Sequence, residues 1–175
     1  MREDYDFSDA KRGSVLSPSH NDAGRSGYPV LFTIGYEKSG FTEFAETLSQ
    51  AGVTRLIDVR AQPHSRRREF AYKHLGPALA EHGIGYESWP VLGAPETARD
   101  AARQGDTATF NRLYEAHLDT APAQQALNSL IELARTESPC MMCYERDPRQ
   151  CHRLLIGERV QAMADVAVRD LFVSG

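Results

Sequence analysis

The strongest constraint on the fold is a short apolar, β-branched run, Val30 to Ile34, followed by a helical pattern and a second run of the same kind. β-Branched side chains suit a pleated surface, and Gly35 ends the run where the chain must turn. Phe41, Phe44, Ala45 and Leu48 then recur at i, i+3, i+4 and i+7, with Gly52 placed as a helix C-terminal glycine is. Arg55 to Val59 supplies the second strand. A strand-helix-strand start predicts parallel pairing with a right-handed crossover.

The alternation continues to the end of the chain. Leu75 and Leu79 mark a short helix ending near Gly83, and Ile84 to Trp89 reads as a third strand. Pro90 to Pro95 is a loop, and the polar stretch that follows to Gly105 reads as a lid or an excursion. Phe110, Leu113, Tyr114, His117 and Leu118 trace one helical face; Leu127, Leu130, Ile131 and Ala134 trace another. Tyr114 and His117 lie on an apolar stripe and are expected to be satisfied core groups. Pro139 to Tyr144 reads as a buried fourth strand, and Leu154, Leu155, Ile156, Val160 and Met163 as a last helix. Val166 to Val173 is expected at a sheet edge, because Arg169 and Asp170 are awkward in a buried centre. The predicted fold is one compact α/β domain over residues 28–175, with a mostly parallel sheet flanked by helices in a Rossmann-like three-layer arrangement. Residues 1–27, rich in Ser, Asp, Gly and Arg, are expected to form a flexible leader.

Charge and cysteine usage narrow the function classes. A formal net charge of −4 argues against a general polyanion binder and leaves room only for a local basic patch. Cys140, Cys143 and Cys151 cluster in one region, an odd count unlike a disulfide-framed secreted domain. No secretory signal or membrane-length apolar run is present, so a cytoplasmic protein without a membrane partner is expected. The oligomeric state is left open.

The chemistry is expected where the fourth strand gives way to a helix, at Met142 to Arg153. A helix start carries unpaired N–H groups and the positive end of the macrodipole, and so favours anions. Cys151, His152 and Arg153 are expected in that first turn, with Glu145 and Cys143 on the strand side. Asp58 and Arg60 fall at the C-terminal end of the second strand, where open α/β sheets present functional groups. Pro63 to Arg68 is a basic turn suited to phosphate. Phe70 and Tyr72, interleaved with the basic residues that follow it, could stack on a base or anchor the loop. The ends of the first, second and fourth strands are expected to converge on one rim. Candidate catalytic groups are therefore Cys151, His152, Glu145, Asp58 and Cys143, and candidate substrate-binding groups Arg153, Arg60, Ser65, Tyr36 and Arg67.

Several motifs carry a family resemblance. Thr33-Ile34-Gly35-Tyr36, Leu56-Ile57-Asp58-Val59-Arg60 with Pro63 and Ser65, Leu92-Gly93, and Cys143-Tyr144-Glu145-Arg146-Asp147-Pro148 before Cys151-His152-Arg153 occur in order. The chain resembles the domain of unknown function 488 family from about Leu31 to the end of the last helix. The resemblance implies a small α/β fold without a settled biochemical role. Ala94 stands where that family often has a second glycine after the Leu-Gly pair.

Four chemistries compete. The first is an enzyme or ligand site for an anionic substrate, a nucleotide or nucleic-acid phosphate. There Arg153 and Arg60 hold phosphate, Cys151 or Cys143 supplies a thiolate, and Glu145, Asp58 or His152 moves protons. The second compares Cys143 to Arg149 with the cysteine-to-arginine loops of phosphatases and rhodaneses, whose glycines are lacking here. A third is a metal site from Cys143, Glu145, Cys151 and His152, opposed by a spacing without a recognised ligand pair and by the opposed side-chain directions that the adjacent Cys151 and His152 would need. The fourth is a non-catalytic nucleic-acid-binding or regulatory module. The first is the leading expectation, with no cofactor and no metal assigned.

Overall fold

In a computed structural model that describes residues 28–173, the strands are Val30–Gly35 (β1), Arg55–Asp58 (β2), Gly85–Ser88 (β3), Pro139–Cys143 (β4) and Ala167–Leu171 (β5). All pair in parallel, in the order β3-β2-β4-β1-β5. The helices are Phe41–Gln50 (α1), Tyr72–Ala80 (α2), Glu96–Arg103 (α3), Thr107–Leu118 (α4), Ala121–Thr136 (α5) and Arg153–Met163 (α6). The expected leader, residues 1–27, lies outside the described residues.

The strand period of two sorts side chains to opposite faces. Phe32, Ile34, Leu56, Cys140 and Met142 pack with Phe44 and Leu48 of α1 and Leu75 and Leu79 of α2. Leu31, Ile57, Met141 and Cys143 pack instead with α4, α5 and α6 through Tyr114, Leu127, Leu130, Ile156 and Val160. Helices thus cover both faces in three layers. The buried central strands follow from this double cover: β4 is buried at every residue, as its unbroken apolar sequence requires.

Three sequence expectations need correcting. β1 and β2 are parallel but not neighbours, since β4 lies between them; adjacency in sequence carries no information about a later strand inserted into the pair. The stretch before Gly105 is helical, α3, and only small residues, Ala98 and Ala101, are buried from it, so no apolar stripe announced it. The last helix begins at Arg153, and Cys151 and His152 precede it, following a 3-10 turn at Pro148–Gln150. β5 is an edge strand as expected, with Thr33 Oγ1 donating to Asp170 at 2.9 Å. Gly52 has φ +72 and follows α1, as its position suggested.

A buried thiol cluster and a separate aspartate–arginine lock

β4 delivers Cys143 at its last residue, on the face covered by α4 to α6. The loop then turns back, so that Cys151 meets it. Cys151 is extended (φ −140, ψ 144) and His152 nearly helical (φ −58, ψ −16). That break lets two consecutive side chains reach the same place, removing the objection over side-chain direction. His152 Nδ1 lies 3.8 Å from Cys151 Sγ and 3.9 Å from Cys143 Sγ. Its Nε2 is 2.9 Å from the Val59 carbonyl, which can only accept, so Nε2 carries hydrogen and Nδ1 faces the sulfurs. Tyr114 stands edge-on to the imidazole, 5.4 Å between centroids, with its hydroxyl given to the Leu92 carbonyl at 2.6 Å.

Arg153 is almost wholly buried, and three of its guanidinium N–H groups are bonded inside the protein. Nε donates to Cys151 Sγ at 3.3 Å, Nη1 to Thr33 Oγ1 at 3.1 Å and Nη2 to the Glu145 carbonyl at 2.5 Å. That carbonyl passes close over β1, where a Cβ on Gly35 would stand 1.8 Å from it; glycine is required there. The Glu145 carboxylate accepts from Cys143 Sγ at 3.2 Å, and Glu145 as a residue is half-buried.

The electrostatics separate the two thiols. Burial is the largest influence on Cys151 and opposes its ionisation. The neighbouring Cys143 thiol and the charges of Arg153 and His152 together outweigh burial and hold its pKa well below the ordinary thiol range. Cys143 is pushed the other way, by Cys151 and by burial. Burial raises the Glu145 pKa to about 7, helped by the Cys151 charge and opposed by His152. For His152, burial is outweighed by Cys151 and Glu145, and the imidazolium is favoured. The third thiol, Cys140, belongs to the opposite face; burial raises its pKa, and it points at the Met141 carbonyl.

The donor atoms of Cys143, Cys151 and His152 all lie within 4.8 Å of one another. Two thiols and an imidazole nitrogen so grouped could hold a soft divalent cation, with Glu145 as a fourth donor. The hydrogen bond from Nε2 to Val59 is the outer support such a ligand commonly has.

Asp58, Arg60 and Tyr36 do not join this cluster. Asp58 pairs in register with Met142, one residue before Cys143, so it faces the other side of the sheet. There the Asp58 carboxylate takes Arg60 Nε at 2.8 Å, Nη2 at 2.6 Å, the Arg60 backbone N–H at 3.1 Å and the Tyr86 hydroxyl at 2.7 Å. Arg60 also donates to Tyr36 Oη at 2.9 Å and to the Phe70 carbonyl at 3.0 Å. Tyr36 stacks on Phe70, 4.4 Å between centroids. The expected single rim is therefore two networks on opposite faces, linked by the backbone of Val59. Its N–H bonds the Met142 carbonyl at 3.1 Å while its own carbonyl holds His152.

The basic turn is partly self-satisfied. Ser65 Oγ accepts the Arg67 backbone N–H at 3.1 Å, and Arg67 pairs with Glu69 at 2.7 Å and lies over Phe70. Arg66 and Arg68 are exposed, and Arg68 Nε is 3.3 Å from His74 Nε2. Phe70 is buried and anchors the segment, whereas Tyr72 is exposed. His117 Nε2 is 2.7 Å from the Val91 carbonyl, so it and Tyr114 are core-linked as expected. Thr33, Gly35 and the Val59 carbonyl support the cluster without having been singled out for it. No spacing rule marks them, because each acts through backbone proximity or a long-range register.

No helix among the described residues is long and apolar enough to cross a membrane. No curated protein and no solved structure matches the chain. A family model, the domain of unknown function DUF488, matches residues 40–160, which runs from just before α1 into α6 and takes in Cys143, Glu145, Cys151, His152 and Arg153. With well over half its length matched in this way, the chain belongs to the DUF488 family.

Proposed function

We propose that the protein is a thiol-dependent enzyme in which Cys151 is the nucleophile. The observation that carries this is the pair of contacts on Cys151 Sγ, from His152 Nδ1 at 3.8 Å and Arg153 Nε at 3.3 Å, with the imidazole fixed from behind by Val59. A thiolate beside an imidazolium and a guanidinium is the reactive form of cysteine, and His152 can return a proton to a leaving group. Phosphate anchoring by Arg60 and Arg153 does not enter the proposal, because both side chains are buried and most of their donors are bonded inside the protein.

A second reading, a bound soft metal ion, is favoured by the grouping of three donor atoms within 4.8 Å. One experiment separates the two: metal analysis of the purified protein, then mass-resolved alkylation with iodoacetamide near neutral pH, before and after chelation. The enzyme reading expects Cys151 to be modified at least ten times faster than Cys140 and Cys143, with no change on chelation. Stoichiometric metal that protects all three thiols would select the second reading. Three equally slow cysteines in metal-free protein would remove the first.

A further inference from the structure

Cys143 has no task in a mechanism that needs a single nucleophile. It nevertheless sits beside Cys151, within 4.8 Å sulfur to sulfur, and carries its own carboxylate at 3.2 Å. We propose that Cys143 and Cys151 act as a pair, reducing a disulfide substrate by two electrons and ending as a disulfide with each other. The proposal rests on the nucleophilic reading of Cys151 and names the substrate class for the same site.

The two thiols are unequal in the way such a pair requires. Cys151 is contacted by the cationic groups of His152 and Arg153 and is suited to attack. Cys143 directs its S–H toward Glu145 and is suited to wait and resolve. Cys143 is placed by the end of the buried β4 and Cys151 by the 3-10 turn that leads into α6. A disulfide needs about 2.05 Å between sulfurs, so closing the pair takes a movement of under about 3 Å, within reach of a rotamer change at two cysteines. Cys140 is on the opposite sheet face and cannot take part.

The step balances. The Cys151 thiolate attacks one sulfur of a substrate R–S–S–R′; the bond to Cys151 forms, the substrate S–S bond breaks, and R′S⁻ takes the proton from His152 Nδ1. Cys143 then gives its proton to Glu145 and attacks Cys151 Sγ. The mixed disulfide breaks, RS⁻ leaves and collects that proton, and two electrons have passed from the dithiol to the substrate. A dithiol reductant returns the pair to its starting state.

The test uses full-length, metal-free protein and glutathione disulfide as the probe, read by intact and peptide mass. The wild type is expected to become lighter by two hydrogens, with Cys143 and Cys151 joined and no glutathione retained. Cys143→Ser is expected to hold one glutathionyl group on Cys151, and Cys140→Ser to behave as the wild type does. A wild type that keeps the glutathionyl group on Cys151 as Cys143→Ser does would overturn the pairing while leaving the nucleophile intact. A Cys151 that takes no adduct in either protein and also resists iodoacetamide would overturn both.

Discussion

Replacing Asp58 by alanine tests whether the Asp58–Arg60 unit is a structural lock or an anion site. Asp58 is fully buried and accepts four hydrogen bonds, three from Arg60 and one from Tyr86. The substitution leaves a buried guanidinium with only the Tyr36 hydroxyl and the Phe70 carbonyl, neither of them charged. Breaking a buried pair in this way costs about 3–5 kcal/mol, because the surviving charge is stranded. With a urea m-value of about 2 kcal/mol/M, the unfolding midpoint is expected to fall by about 2 M.

The double variant Asp58→Ala with Arg60→Met supplies the control. Removing the stranded charge and filling its space with an apolar chain is expected to recover at least about 2 kcal/mol of that loss. The assay is equilibrium urea unfolding followed by far-UV circular dichroism. An Asp58→Ala variant within about 1 kcal/mol of wild type, or a double variant no more stable than Asp58→Ala, would refute the lock. Arg60 would then have to be regarded as held for something outside the protein.

Two further predictions concern the thiol cluster. Gly35→Ala puts a Cβ 1.8 Å from the Glu145 carbonyl, a backbone atom that cannot step aside, and is expected to cost about 3 kcal/mol by thermal or urea unfolding. Gly40→Ala is the contrast: its Cβ meets only the mobile end of Glu43, so its cost is expected to stay under about 1 kcal/mol. Cys151 is faced by Cys143, Glu145, His152 and Arg153, and its folded pKa lies below the ordinary thiol range. Its alkylation rate is therefore expected to reach its plateau below the ordinary thiol range and to fall only as pH drops through that lowered value. Arg153→Met moves the fall upward, while Arg153→Lys, which keeps the charge, lies between; identical profiles for all three would exclude Arg153 from setting Cys151's ionisation.

Much of this architecture is legible in the sequence because the fold's main signals are local. β-Branched runs, the Phe44–Leu48 spacing and Gly52 need only neighbours along the chain. The motif at Cys143 to Arg153 also marks itself, by packing two thiols, an imidazole, a carboxylate and a guanidinium into one junction. What the sequence withholds is register and local backbone. Asp58 and Cys143 both end central strands, yet the pairing of Asp58 with Met142 sends them to opposite faces. The extended Cys151 before a helical His152 is equally invisible, since a 3-10 turn can leave its last residue in either conformation.

On the proposed reading of Cys151 as a thiolate, the chain itself supplies an anion just before α6, and Arg153 Nε already serves it. Once Glu145 has ionised above its raised pKa of about 7, one thiolate and one carboxylate face one imidazolium and one guanidinium, and the cluster carries no surplus positive charge. A buried, self-neutralised cluster gains nothing from a further anion and would lose by desolvating one. It is suited instead to a substrate that is uncharged where it reacts. A disulfide meets that condition: charge arrives on the leaving sulfur only as the bond breaks, when His152 Nδ1 can neutralise it. On the proposed thiolate reading of Cys151, charge balance and the geometry of the two sulfurs favour the same class of substrate.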